Sequence, residues 1–244
     1  MEKNSLLKIE NLSSGYGSTI IVNDFSFEVE EGQILSITGS NGMGKTTLMK
    51  SIMGLIDARV GKVFFKNEDI TDVSPDYRSK LGIGYVPQGR EIFSALTVEQ
   101  NILLPIYSRK NLKLNVQVKL QEIYNLFPIL KEKKDANGSS LSGGQQQQLA
   151  IARALIFDPD IIILDEPAEG IQPSIVKFIG STLINLSKNL KKAFIVVEQN
   201  ISLISQLNSD CLLVEKGKLS KKIKSSDLNS IEKARNLLSL HKQT

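Results

Sequence analysis

The sequence has no tryptophan, one cysteine and no long apolar run. A single cysteine excludes an intramolecular disulfide, and Cys211, set in an apolar stretch, reads as a small buried residue. Apolar runs such as Ile161–Leu164 and Ala193–Val197 last four or five residues. A membrane-spanning helix needs about 20. The first ten residues carry Glu2, Lys3, Lys8 and Glu10 with no apolar centre, so no signal peptide is expected. These absences predict a soluble, cytoplasmic chain whose membrane role, if it has one, runs through a partner. Excess charge is scarce too. Thirty Lys+Arg against 26 Asp+Glu leave +4 over 244 residues. That reads as a solvated surface and not as a nucleic-acid footprint. With 41% hydrophobic and 23% charged residues, disorder, collagen and coiled coil are excluded as the dominant architecture.

Short apolar segments alternate with helical patterns. Leu6–Glu10, Phe25–Glu30, Gln33–Thr38, Gly61–Lys66 and Gly82–Val86 read as strands, and Lys45–Leu55 as a helix. Strand signals fade after about residue 88. Leu120, Ile123, Tyr124 and Phe127 fall at helical spacing, residues 131–140 read as a polar loop, and Gln145–Phe157 reads as a strong helix with Leu149, Ala152 and Ile156 on one face. The all-apolar Ile161–Leu164 and Ala193–Val197 suit a parallel sheet covered on both sides. Pro173–Leu190 is a helix with proline near its start. The last thirty residues read as short strands and a Lys-rich terminal helix. The pattern is an α/β core interrupted by a helical insertion.

Gly39-Ser40-Asn41-Gly42-Met43-Gly44-Lys45-Thr46 matches G-x-x-x-x-G-K-[ST] between a strand and a helix. Its glycines let backbone N–H groups form an anion nest, and the following helix, opening through Thr47, points its positive end there. Lys45 would reach β- and γ-phosphates, and Thr46 would hold Mg²⁺. A strand ending in Asp165-Glu166 supplies acids for the other half of such a site. Asp165 would hold Mg²⁺, and Glu166 would orient or deprotonate an attacking water. Leu141-Ser142-Gly143-Gly144-Gln145 is a second anion-binding helix start. With one phosphate loop per chain, it suggests a site shared between two subunits.

In this order and at these separations, the loop, Leu-Ser-Gly-Gly-Gln and Asp-Glu resemble the ATP-binding subunit of an ABC transporter. The resemblance covers nearly the whole chain. It implies a P-loop NTPase (RecA-like) α/β core with an antiparallel β subdomain, at about 1–87 and 160–244. It also implies an inserted α-helical subdomain at about 88–159, ending in the helix that Ser142–Gln145 opens. It implies a Mg-dependent ATPase on the cytoplasmic face of the inner membrane, working with permease subunits, a second ATPase subunit and, indirectly, a periplasmic solute-binding protein. Tyr16 resembles the aromatic that stacks on adenine. Gln88 resembles the glutamine that touches Mg²⁺ and couples to the permease, and Phe93, Leu96 and Val98 behind it read either as apolar anchors or as core. Ser142, Gly143, Gly144 and Gln145 would close over the partner's nucleotide. Val86–Phe93 with Leu96–Asn101 resemble importers of branched-chain amino acids and of urea. Gln145–Arg153 and Glu169–Ser174 look most like the second ATPase subunit of the urea type, so urea import is the expectation and branched-chain amino acid import the alternative. Two departures stand out. Gln199 follows Glu198 where most members carry a histidine, and the only histidine is His241. Residues Glu169–Gln172 replace the usual Ser-Ala-Leu-Asp. An uncharged Gln199 leaves open a subunit that clamps ATP with little turnover.

Overall fold

The structure, a computed structural model, describes residues 5–107 and 115–228, with 232, 233 and 235 beyond them. The chain runs β1 (Leu7–Tyr16), β2 (Thr19–Val29), β3 (Ile34–Thr38), α1 (Lys45–Ile52), β4 (Ala58–Phe65), β5 (Glu68–Asp69), α2 (Pro75–Leu81), β6 (Ile83–Val86), α3 (Val98–Tyr107), α4 (Val116–Leu126), α5 (Pro128–Glu132), α6 (Gly143–Leu155), β7 (Ile161–Asp165), α7 (Pro173–Leu190), β8 (Ala193–Val197), α8 (Ile201–Leu207), β9 (Asp210–Glu215) and β10 (Lys218–Ile223).

Two sheets form. One is antiparallel in the order β2-β1-β4-β5. The other runs β10-β9-β3-β8-β7-β6, parallel except for the edge strand β10. Every residue of β7 and β8 is buried, because both faces of the parallel sheet are covered. The period-two pleat divides their side chains. Ile162, Leu164, Phe194 and Val196 face a core built with α3, α4, α6, α7 and α8. Ile161, Ile163, Ile195 and Val197 face a core built with α1 and the antiparallel sheet. Each fully buried aliphatic side chain contributes roughly 1.5–3 kcal/mol, so these two strands anchor both cores at once.

Register then sets the site. Ile37 pairs with Val197, and Val197 with Asp165. The carboxyl ends of β3, β8 and β7 are therefore level, and the segments that follow them emerge at one edge, where α/β sheets bind ligands.

Several boundaries differ from expectation. β1 extends to Tyr16 because register shifts after Ile9 and Leu12 absorb extra residues. β4 begins at Ala58, three residues before Gly61. α1 stops at Ile52, short of Leu55, where Gly54 turns to φ +71°. α6 starts two residues early, at Gly143, because Ser142 and Gln145 form a reciprocal capping box. The polar stretch 131–140 holds the end of α5 and a 3₁₀ turn at Gly138–Ser140. The strand β5 and the helices α2 and α8 were not expected. The Lys-rich terminal helix falls largely outside the described residues, as does His241. Among the described residues no helix is long and apolar enough to cross a membrane.

Candidate functional site

The loop after β3 is held open by glycine. Gly39 has φ +148°, and a Cβ there would lie 2.2 Å from the Val214 carbonyl oxygen. Gly42 and Gly44 take φ +77° and +92°. Gly44 caps α1 without any side-chain bond, and the first turn carries no acid. The opening N–H groups of α1 thus have no side chain to neutralise them, which favours an anion. Lys45 is buried, and its ammonium donates to the carbonyls of Gly39 (2.8 Å) and Ser40 (2.9 Å). Burial pulls its pKa down, with Glu166, Asp165 and Glu198 opposing. Met43 does not enter the recess. It packs against the core below, and its sulfur accepts from the Lys216 N–H at 3.1 Å.

An open recess faces this loop, lined by Ile21, Asn41, Gly42, Gly44, Lys45, Thr46, Thr47, Gln88 and Glu166. Asp165 ends β7 and directly precedes the lining residue Glu166. The Asp165 side chain is 1% exposed, and neither carboxylate oxygen has a hydrogen-bond partner. Burial pushes its pKa up, while the nearby Thr46 hydroxyl pulls the other way. An orphaned buried carboxylate is costly unless something cationic meets it. Together with Thr46 and Gln88 it offers the all-oxygen donor set that Mg²⁺ prefers, so the residues present fit that ion.

Glu166 sits above Asp165 with φ +51°. The Gln88 amide donates to it at 3.2 Å and the Gln199 amide at 3.0 Å, and Lys45 Nζ lies 3.9 Å away. Gln199 also donates to Asn41 of the phosphate loop. Gln88 also donates to Glu169, at 3.1 Å. Lys45, Thr46, Asp165, Glu166, Gln88 and Gln199 therefore come together around one recess.

Tyr16 ends β1 with its ring half-exposed, outside the residues that line the recess. Ser142, Gly143, Gly144 and Gln145 do not line it either. Of the three residues behind Gln88, Phe93 is exposed, Leu96 is half-buried and Val98 is fully buried in the helical core. Val98 is thus core, not an anchor.

Two residues at this edge escaped the sequence reading. Glu198 is 4% exposed and accepts three backbone N–H bonds, from Ala168 (2.9 Å), Gln199 (2.7 Å) and Asn200 (2.8 Å). Burial raises its pKa, and those bonds oppose the rise. The signal that revealed Asp165, an acid ending an all-apolar strand, applied equally to Glu198 after β8. Arg90, at φ +70°, donates to the Glu169 carbonyl at 2.9 Å. A Cβ on Gly143 would meet its guanidinium at 3.2 Å. Arg90 thus ties the Gln88 loop to the Glu169 segment beside the start of α6.

A phosphate loop, a buried acid and a poised carboxylate at the carboxyl edge of a parallel sheet define a nucleotide-hydrolysing P-loop protein. The family model for ABC transporters matches residues 22–169, and the chain belongs to that family as one of its ATPase subunits. It is 33% identical over 214 residues to the probable branched-chain amino acid transport ATP-binding protein LivF of Archaeoglobus fulgidus, covering 88% of this chain and 90% of that one. It is 33% identical over 215 residues to the high-affinity branched-chain amino acid transport ATP-binding protein BraG of Pseudomonas aeruginosa, covering 88% and 91%. Among solved structures, a dimeric post-hydrolysis state of an ATP-binding cassette bound to ADP and Pi superposes with a TM-score of 0.80 at 26% identity, over 90% of this chain and 98% of that one.

Proposed function

We propose that this chain powers solute import through membrane permease subunits, from the cytoplasmic face of the inner membrane, and that its solutes are branched-chain amino acids. The observation that carries the catalytic part is Glu166, held over the phosphate loop by two amides and a lysine, with the unpartnered Asp165 beneath it. The branched-chain relatives support the solute class. Residues 145–153 and 169–174 favoured urea, but no side chain of such a subunit touches solute, and the relatives weigh more.

The N–H groups of Gly42–Thr46 cradle the β- and γ-phosphates, and Lys45 supplies a fixed positive charge at the loop. Thr46, Asp165 and Gln88 would hold Mg²⁺, which would supply charge to offset that of the phosphates. Glu166 accepts the proton of the attacking water. Gln199 and Gln88 fix the carboxylate's orientation through their amide N–H groups. Tyr16 stacks on the base. Ser142–Gln145 serve the nucleotide of a second ATPase subunit, a role supported by their not lining this chain's own recess.

Glu166→Gln is expected to keep ATP binding and to lose about 10²–10⁴ in turnover, measured by phosphate release beside nucleotide titration. Turnover near that of the unaltered chain would remove Glu166 from the role of base. Uptake of labelled leucine and labelled urea by the assembled transporter separates the solutes, and ATP-dependent uptake of urea alone would reverse the assignment.

A further inference from the structure

Glu198 has no part in the scheme above, yet it is the most heavily bonded carboxylate at this edge. It lies where three strands end together. Its own N–H donates to the Ile37 carbonyl of β3 at 2.9 Å, two residues before the phosphate loop. Its Oε2 accepts from Ala168 N–H, two residues after Glu166. Its Oε1 accepts from the N–H groups of Gln199 and Asn200. The Asn200 side chain in turn caps α8 by accepting from Leu203 N–H at 3.2 Å. Glu166 N–H adds a parallel tie to the Val197 carbonyl at 2.9 Å. One side chain therefore joins the segment that carries Glu166 to the segment that carries Gln199, and its backbone joins both to β3.

We propose that Glu198 is a positioning residue. By clamping the two segments together, it aims the Gln199 amide at Glu166 and Asn41 and so preassembles the hydrolytic end of the site before nucleotide binds. The inference rests on the reading of Glu166 as the base. The physical argument is one of geometry. A glutamine amide hydrogen-bonds well only within a narrow distance and angle, and unlike a charged imidazolium it gains little from longer-range attraction to phosphate. A site that uses glutamine here needs its backbone fixed more tightly. A buried carboxylate that accepts three N–H bonds supplies that, since charge-assisted bonds are about twice as strong as neutral ones.

The clamp's own side-chain bonds end on Ala168, Gln199 and Asn200, none of which lines the recess, so it acts on the hydrolytic end more than on nucleotide affinity. Its loss should act on kcat and spare KM. The sharper variant is Glu198→Gln. It keeps the shape and one acceptor oxygen but puts an NH₂ group against at least one N–H donor, so the Ala168 tie or the Gln199–Asn200 tie breaks. Glu198→Ala breaks all three. In the full chain, kcat for ATP is expected to fall about 10- to 100-fold in both, the range that small misplacements of a reacting group produce, with KM changed less than about threefold. Hydrogen–deuterium exchange should speed up in the peptides covering 166–171 and 198–203 and stay unchanged at 39–47. The double variant Glu198→Gln with Gln199→Ala should be no slower than the worse single one, because the clamp acts through that amide. Unchanged kcat in Glu198→Gln with folding intact overturns the proposal, as does a double variant whose losses multiply. A parallel Glu166→Gln measurement keeps the two readings apart. If Glu166→Gln retains turnover, the role of the base fails. If only Glu198→Gln retains it, the clamp fails.

Discussion

At the scale of single residues, contiguity decided what could be read from the chain. The phosphate loop is eight consecutive residues with fixed chemistry, so its chemistry was apparent before its shape. The partners of Glu166 are scattered over Lys45, Gln88 and Gln199, and only the shared edge of the sheet brings them together. Tyr16 is a further single-residue case. Its ring is half-exposed at the end of β1, and the hairpin behind it is tied by Arg59, which donates to the carbonyls of Gly17 and Ser18. Its exposure leaves surface on which a base could stack. Tyr16→Ala is expected to weaken nucleotide affinity by about 1–3 kcal/mol, roughly 5- to 150-fold, with kcat at saturation nearly unchanged. ATP and GTP should lose similar amounts, because stacking reads a π-face and not the base edges. Titration with each nucleotide checks this, and an unchanged dissociation constant would make Tyr16 a turn residue.

At the scale of elements, the helix that begins at the phosphate loop is finished by an arginine that the sequence reading passed over. Arg78 on α2 is 1% exposed. Its guanidinium donates to Ile52 and Thr71 carbonyls at 2.6 Å, Val73 at 2.9 Å and Ser51 at 3.1 Å. It fills the last acceptors of α1 and pins the 71–73 segment to them, with Gly54 turned to φ +71° to make room. Arg78→Met keeps most of the volume but takes this donor from four carbonyls, of which Ser51 alone keeps the Gly54 N–H. It is expected to destabilise by about 3–5 kcal/mol, from several buried groups unpaired at roughly 1 kcal/mol or more each. Chemical denaturation should show this as a lower midpoint with an unchanged slope. ATP affinity should fall as well, because α1 carries the nest. A loss under about 1 kcal/mol would mean that water replaces the guanidinium. α2 and α8 were missed because each has seven residues, too few for a helical period to stand out. β1 was cut short because its bulges break the alternation by which a strand is recognised. β7, α7 and β8 were read almost to the residue. Full burial writes an unbroken apolar run for the strands, and a proline fixes where the helix begins.

At the scale of the whole molecule, the proposed function makes the recess a half-site. Its lining comes from the phosphate loop, Gln88 and Glu166, while α6 presents its start elsewhere. That start has no acid in its first turn, so it too favours an anion. On the proposed function a second chain completes the site, each composite site taking its phosphate loop and Glu166 from one subunit and its Ser142–Gln145 segment from the other. Gln199 then makes a prediction about the pair. An amide in place of an imidazolium stabilises charge in the transition state less. Loss of one preorganised donor costs about 10²–10³ in rate, and exchanging one donor for another should cost less than that. If the partner subunit carries a histidine at the matching position, the site built on this chain's phosphate loop is expected to be the slower of the two. Replacing this chain's Glu166 with glutamine in the assembled transporter should then remove a minor share of turnover, and the same change in the partner a major share. Equal losses would exclude the asymmetry. Gln199→His in this chain should narrow the gap by raising turnover at the slow site. Purified alone, the Glu166→Gln chain with ATP should sediment as a homodimer and without ATP as a monomer, because the nucleotide supplies most of what the two half-sites share.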